Sequence, residues 1–344
     1  MKKRMLSLVL AGVMTAALLT GCGDSAGSDA GSADGAAEET TEAAETEVSE
    51  ETAGDDAAAE DSSAEASGDS AGGTFKIGGI GPLTGSNAVY GIAAMNGSQI
   101  AVDEINAAGG INGMTVELNF QDDETDSEKS VNAYNALKDW GVQVLDGCVT
   151  SACSIAVSAK TAEDNIFQLT PSGSAVECVA NPNSFRICFS DPNQGVASAQ
   201  YIGEHSLATK VAVIYDSSDV YSSGIYEKFV TEAESQSFEV VTAGAFTADN
   251  KTDFSVQLQQ AKDAGADLVF LPIYYNEAAL ILKQAADMGF EVKFFGCDGL
   301  DGILGVKNFD ASLTEGVMLL TPFAADATDD LTVQFVTTYE EKFN

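Results

Sequence analysis

From Thr74 onward, short and nearly continuous apolar runs alternate with longer stretches whose apolar residues recur at helical spacing. The first kind reads as strands buried on both faces and the second as amphipathic helices, so the alternation predicts parallel sheets with helices on both sides. Strands are expected at Phe75–Ile80, Thr115–Gln121, Val142–Val149, Ile166–Thr170 and Phe185–Phe189, with helices over Gly91–Ala108, Ser127–Asp139 and Ser154–Asp164. A second set follows. Its strands are Lys210–Tyr215, Glu239–Ala243, Leu268–Pro272, Val292–Gly296 and Gly316–Leu320, and its helices lie near Ser222–Ser235, Phe254–Ala264, Glu277–Met288 and Ile303–Asn308. The doubled Gly109-Gly110 is a stop signal for the first helix.

Roughly 270 residues exceed one common domain, so two doubly wound α/β lobes are expected. The turn-rich Ser190-Asp191-Pro192-Asn193 marks the break, Thr321-Pro322 a second crossing, and a final helix Leu331–Phe343 returns to the first lobe. The expected lobes are residues 74–191 and 192–321, with 322–344 as the return. A cleft between two such lobes commonly binds ligands, and hinge closure is one use of it.

Within Gly147–Cys178 two successive strands each end in small hydroxyl residues that open the next helix: Thr150-Ser151, then Ser172-Gly173-Ser174. Small residues let a ligand approach the backbone, and first-turn N–H groups favour an anion. Side by side at the carboxyl ends of parallel strands, two such switches form a candidate site rather than a pair of ordinary helix caps.

The segment ahead of Thr74 is different in kind. Lys2, Lys3 and Arg4 precede the apolar run Met5–Leu19, which is short for a membrane span. It ends in Leu19-Thr20-Gly21-Cys22, which resembles the lipobox of bacterial lipoproteins. That resemblance implies a signal peptide over 1–22, cleavage, and lipidation of Cys22, which tethers the protein to the outer face of a cytoplasmic membrane. Residues 23–73 hold 16 acidic residues, no Lys or Arg, no aromatic residue and Val48 as the only branched aliphatic. Such a chain buries too little apolar surface to fold and serves as an acidic spacer. Of the 53 acidic and 16 basic residues in all, 37 and 13 fall in residues 74–344, a net charge of −24. An acidic globule on an acidic tail has no basic face for phosphates, which excludes nucleic acid as a partner.

Several motifs in order resemble the branched-chain amino-acid-binding proteins of ABC transporters, periplasmic binding proteins of type I. They are Gly81-Pro82-Leu83-Thr84-Gly85, Ala101-Val102-Asp103-Glu104-Ile105-Asn106 with Gly109-Gly110-Ile111-Asn112-Gly113, Asp122-Asp123, Thr170-Pro171-Ser172, Phe185-Arg186, Asp191-Pro192-Asn193-Gln194-Gly195 and Asp253-Phe254. The resemblance implies a receptor whose lobes close on an amino acid. Ser151 stands where the family's serine holds the α-carboxylate, and Ser172 and Ser174 where backbone and hydroxyl bonds reach the same zwitterion. Thr150 and Gly173 complete the two switches. Tyr274 matches a tyrosine that packs on the ligand, Asp298 a carboxylate, usually Glu, for the α-ammonium, and Tyr90 and Tyr221 aromatic positions at the side-chain end. These roles suit the chemistry: a carboxylate wants hydroxyls and helix-start N–H groups, an ammonium wants a carboxylate and aromatic faces. Two departures stand out. Asp298 is one methylene shorter than Glu, and the family's first-lobe disulfide is missing, Thr150 standing at one of its places. The family also continues past Tyr339–Asn344, which implies an incomplete return to the first lobe.

Five cysteines remain after Cys22. Cys178 and Cys188 are candidates for a bridge, Cys148 and Cys153 an alternative pair, and Cys297 a free buried thiol. None has zinc spacing. Asp122-Asp123-Glu124-Thr125-Asp126 lacks the calcium-loop pattern and reads as a solvated loop capping the next helix. The single histidine, His205, leaves no basis for most Ser-His or Cys-His catalysis, and no phosphate loop or dinucleotide fingerprint exists. The expectation is a monomeric, extracytoplasmic receptor, not an enzyme, without cofactor or metal. It would bind an aliphatic amino acid and deliver it to a permease. The alternatives are a sensory module for a signalling partner, a receptor for a related amide or carboxylate, and a carboxylate-based enzyme.

Overall fold

The computed structural model describes residues 72–343; the signal peptide, Cys22 and most of the acidic spacer lie outside them. The first sheet is built from β1 (Thr74–Gly81), β2 (Thr115–Asp122), β3 (Val144–Gly147), β4 (Phe167–Thr170) and β5 (Ser184–Arg186). The order is β2-β1-β3-β4-β5 and every pairing is parallel. The connecting helices are α1 (Ala88–Ala107), α2 (Ser127–Trp140) and α3 (Ser151–Asp164). The second sheet is built from β6 (Lys210–Asp216), β7 (Glu239–Phe246), β8 (Leu268–Leu271), β9 (Lys293–Gly296) and β10 (Met318–Leu319), in the order β10-β9-β8-β6-β7. Its helices are α4 (Asp191–Glu204), α5 (Val220–Ala233), α6 (Ser255–Asp263) and α7 (Tyr275–Asp287), and α8 (Asp330–Phe343) follows the sheet. The two sheets have the same winding, with order reversing between β1 and β3 and between β6 and β8, which are the places where such sheets open a crevice.

The predicted alternation of strands and helices is therefore the observed one, with differences at the ends of elements. The apolar run at Phe185–Phe189 pairs only as far as Arg186, and Gly316–Leu320 pairs only over Met318–Leu319. The helix expected at Ile303–Asn308 is a single tight turn, Ile303–Gly305, between left-handed Gly302 (φ 92°) and Asn308 (φ 61°). The largest difference is α4. Ser190-Asp191-Pro192-Asn193 is not a bare turn but the start of a helix, whose cap is the Ser190 hydroxyl accepting from the Asn193 N–H at 3.4 Å. Proline is tolerated in that first turn because its missing N–H has no helical partner there.

Buried side chains on both faces of the second sheet form two clusters, one around Phe254, Leu258 and Leu271, the other around Phe229, Phe270 and Phe295. Tyr134, Leu137, Leu145 and Val157 anchor a cluster under the first sheet. Asp126 caps α2 by accepting from the Glu128 and Lys129 N–H groups at 2.9 Å, as expected of that acidic loop. The last helix packs back on the first lobe: Asn96 donates to the Tyr339 hydroxyl at 3.0 Å, and Lys342 pairs with Asp103 at 2.5 Å.

The proposed Cys178–Cys188 bridge is not formed. All five cysteines from Cys148 onward are free thiols. Cys178 lies in a tight turn (Val176–Val179) and turns its sulfur back toward the Ser151 carbonyl, 3.6 Å away, where burial pushes the thiol up to about 12. Cys297 is likewise free and buried, 3.8 Å from the Ser198 hydroxyl.

Candidate functional site

The carboxyl ends of both sheets face one another across a cavity of about 190 Å³. That is smaller than the roughly 300–1,000 Å³ of drug-sized ligand sites and suits a small metabolite. Tyr90, Thr150, Ser151 and Ser172 line it from the first lobe, and Tyr221, Tyr274 and Asp298 from the second. Seven of the nine residues singled out from sequence thus meet in one chamber.

The first-lobe wall is made by the two switches, and they are stitched together. The Ser151 hydroxyl oxygen accepts from the Ser174 and Ala175 N–H groups, both at 3.1 Å. With its lone pairs engaged, the hydroxyl has only its proton left to offer, which sets it up as a donor to an anion. Ser172 is the opposite case. Its hydroxyl donates to the Val149 carbonyl at 2.6 Å, so its oxygen faces the chamber as an acceptor.

Gly173 and Ser174 do not line the cavity, a correction to their expected place. Gly173 donates its N–H to Thr170 Oγ1 at 2.7 Å, and a side chain there would meet Ser154 Oγ at 2.8 Å. It is glycine because two layers of hydroxyls close over it. Ser174 is buried behind the wall, its hydroxyl unpartnered and its carbonyl held by Arg186 at 2.8 Å. Next to it Asp191 is buried with neither carboxylate oxygen hydrogen-bonded, and burial pushes it up to about 8. Burial thus makes it a poorer partner for a cation than an exposed carboxylate.

The second-lobe wall is aromatic, with the carboxylates of Asp298 and Asp301 beside the rings. Tyr274 precedes α7 and stacks on Tyr221, ring centroids 5.0 Å apart and nearly parallel; Tyr90 reaches across from α1 to sit 5.9 Å from Tyr274. α1 can bring Tyr90 here because Gly91 lets the helix touch the loop after β1: a Cβ would lie 2.0 Å from the Pro82 carbonyl oxygen. The Tyr221 hydroxyl donates to Asp298 Oδ1 at 2.7 Å and accepts from the Gly299 N–H at 2.9 Å. Burial pushes the Asp298 carboxyl up to about 6, with the Tyr221 hydrogen bond opposing. The tyrosine hydroxyls are pushed upward by burial and stay protonated as donors. Tyr90 donates to the Gly299 carbonyl and Tyr275 to the Ser86 carbonyl at 2.6 Å, which joins the lobes over the chamber.

Gly299 is therefore the point on which this wall turns. A Cβ there would lie 2.6 Å from both the Ile273 carbonyl and the Tyr221 hydroxyl. Gly299→Ala is expected to push Tyr221 off Asp298 and to cost about 1–3 kcal/mol in stability, the usual range for overpacking. Thermal denaturation and ligand titration of the variant check this, and an unchanged melting temperature together with unchanged affinity refutes it.

Sequence reading missed Val149, Asp301, Thr321 and Phe323, which also line the chamber. Thr321 had been noted only as part of a crossing. Its position directly after a strand's carboxyl end was the available signal, as was Asp301 three residues beyond Asp298.

Two parallel-sheet lobes closing on a small chamber of hydroxyls, tyrosines and carboxylates define a solute-binding protein of the type I periplasmic class. Residues 74–344 match the family model described as periplasmic binding protein, and the chain belongs to that family. It is 31% identical over 258 residues to the Leu/Ile/Val-binding protein homolog 1 of Brucella abortus, covering 73% of this chain and 67% of the relative. It is 29% identical over 256 residues to the leucine-, isoleucine-, valine-, threonine-, and alanine-binding protein of Pseudomonas aeruginosa, covering 74% and 68%. Against several other Brucella and Rhizobium relatives the chain spans only 60–61% of their length. Among solved structures it resembles the branched-chain amino acid transporter substrate-binding protein of Streptococcus pneumoniae in complex with isoleucine, with TM-score 0.69, 28% identity, and 79% and 78% of the two chains covered. Family membership implies an extracytoplasmic location. Among the described residues no helix is long and apolar enough to cross a membrane.

Proposed function

We propose that the protein captures a small amino acid with an aliphatic, branched-chain side chain by lobe closure and delivers it to the permease of an ABC transporter. In this reading it works as a monomer, anchored outside the cytoplasm through a lipid on Cys22 and lifted by the acidic spacer. The observation that carries the reading is the single chamber lined by Ser151 and Ser172 from one lobe and Tyr274 and Asp298 from the other. The Ser151 proton and the first-turn N–H groups of α3 take the α-carboxylate. Asp298 and the Ser172 oxygen take the α-ammonium, with the Tyr221 and Tyr274 rings over it. Val149, Phe323 and the tyrosine faces enclose an apolar side chain. The names of the Leu/Ile/Val-binding relatives support that choice of ligand.

Binding rather than turnover fits the hydroxyls, since Ser151 accepts from two backbone N–H groups and Ser172 donates to a carbonyl. Neither is paired with a base that would activate it. His205, at the end of α4, contacts the Tyr201 carbonyl of its own helix.

A thermal-shift screen of the full chain against the twenty amino acids, short amides and small acids tests the reading. Leucine, isoleucine and valine are expected to raise the melting temperature most; a ligand at 100 times its Kd adds about 2.7 kcal/mol. Stabilisation by another class of compound, with none by any amino acid, sinks the assignment.

Affinity should also depend on pH in a defined direction. In the empty chamber Asp298 holds a proton up to about pH 6, whereas an ammonium favours the ionised carboxylate, so proton and ligand compete. Affinity is expected to be level above that pH and to fall as pH drops through it, approaching tenfold per unit. Calorimetric titration from about pH 5 to about pH 8 reads this; affinity that rises on acidification removes Asp298 from the ammonium site.

A further inference from the structure

Beyond the Tyr274 ring and the Thr150 side chain lies a second chamber of about 260 Å³ that shares both residues with the first. It too is walled by both lobes, with Asn87 and Thr125 on one side and Asp216, Asp219 and Glu277 on the other. Its chemistry is different. Four carboxylates line it, Glu124, Asp216, Asp219 and Glu277, against the single cation Lys251.

Two of these carboxylates are already matched: Glu124 pairs with Lys129 at 2.6 Å and Glu277 with Lys251 at 3.2 Å. Asp216 accepts from the Ser218 N–H and hydroxyl of its own turn, at 2.8 and 2.6 Å. Asp219 has the Tyr221 N–H at 3.2 Å, and among the described residues no Lys or Arg pairs with either aspartate. Burial pushes the Asp219 carboxyl up to about 6, and repulsion from Asp216 and Glu277 adds to this. On the facing wall Thr150 is only 5% exposed, and its Oγ1 has no hydrogen-bond partner. Two carboxylates thus lack a cation, opposite a buried hydroxyl that lacks a partner, across a half-open cleft.

The geometry points to a second subsite in this chamber, one that takes an organic ammonium group. Its three N–H donors match the Asp219 and Asp216 oxygens on one wall and the Thr150 oxygen on the other. Among the described residues no three His, Cys, Asp or Glu side chains are arranged to hold a metal ion. The ammonium is either the side-chain end of a basic amino acid, whose zwitterion then occupies the first chamber, or a separate small amine. The former rests on the zwitterion site proposed above and replaces its aliphatic side chain with a basic one.

Calorimetric titration of the full chain with L-leucine, L-lysine and cadaverine tests the subsite. Binding of lysine alone identifies the side-chain end, and binding of cadaverine identifies a separate amine. In either case Asp219→Asn, which keeps a capping oxygen for α5, is expected to weaken that ligand about tenfold or more. Asp216→Asn gives a second, independent variant with the same expected loss. Leucine affinity should stay within about twofold in Asp216→Asn, whose side chain lies outside the first chamber and bonds only Ser218 of its own turn; Asp219 caps the Tyr221 N–H, so its variant is read by the amine alone. If leucine binds but neither lysine nor cadaverine does, the subsite is overturned and the amino-acid reading stands. If lysine or cadaverine binds equally well to both variants, the subsite is overturned as well. If cadaverine binds and leucine does not, the subsite stands and the amino-acid reading falls.

Discussion

Asp298→Ala is expected to leave the protein folded and to weaken amino-acid binding sharply. The carboxylate is held by the Tyr221 hydroxyl at 2.7 Å, and the Asp298 N–H donates to Gln194 Oε1 at 3.3 Å. An ammonium brought into the chamber sheds its water, and the Asp298 carboxylate, fixed by Tyr221, is the group that offsets most of that cost. Truncating one member of a desolvated, hydrogen-bonded charge pair costs about 2–5 kcal/mol, roughly thirty- to several-thousand-fold in Kd. Folding is spared for a separate reason: the empty site already strains against a buried carboxylate, so deleting it removes an unfavourable group. Calorimetry against leucine, with circular dichroism as the folding control, decides the matter. Unchanged affinity would remove Asp298 from the site.

Phe270→Ala is expected to lower stability by about 3–5 kcal/mol, the usual cost of emptying a buried aromatic position. Phe270 is fully buried on β8, which lies inside the second sheet between β6 and β9. Its ring stacks on Phe229 at 4.0 Å and approaches Phe295 at 6.2 Å. The loss is a large part of the roughly 5–15 kcal/mol that holds a typical protein together. It reaches the site as well, since Ile273 and Tyr274 follow directly on β8 and carry one jaw. Urea denaturation measures the loss. Phe270→Leu, which keeps most of the volume, should recover much of it. A drop below about 1 kcal/mol for the alanine variant would show that the ring does not support the sheet.

The parts of the site that were legible in sequence were those tied to a strand-to-helix switch or to a family motif. Ser151, Ser172, Tyr274 and Asp298 follow strand ends, and parallel strands bring their carboxyl ends to one side by construction. Gly173 and Ser174 follow a strand end too, yet face inward. Nothing in Ser172-Gly173-Ser174 tells which of three small residues turns toward the cleft; the packing of Gly173 against Ser154 and Thr170 does. The helix at Asp191–Glu204 was missed because its cap, proline and asparagine also spell a turn. Its inward residues Ala199 and Ile202 earn their helix only against α5 and the second sheet.

The amino-acid sequence by itself determined the two-lobed parallel-sheet class, the order of its elements and the short hydroxyl switches. Those follow from hydrophobic period, turn residues and chain connectivity, which are local or nearly so. The tertiary structure alone decided which proton each hydroxyl has left to give, that Cys178 and Cys188 stay apart, and that Thr321 and Phe323 join the chamber. It also raised the proton affinity of Asp298 and Asp219, and raised that of Asp191 further. Desolvation and hydrogen-bond partners come from residues far apart in the chain, and no spacing along the sequence records them.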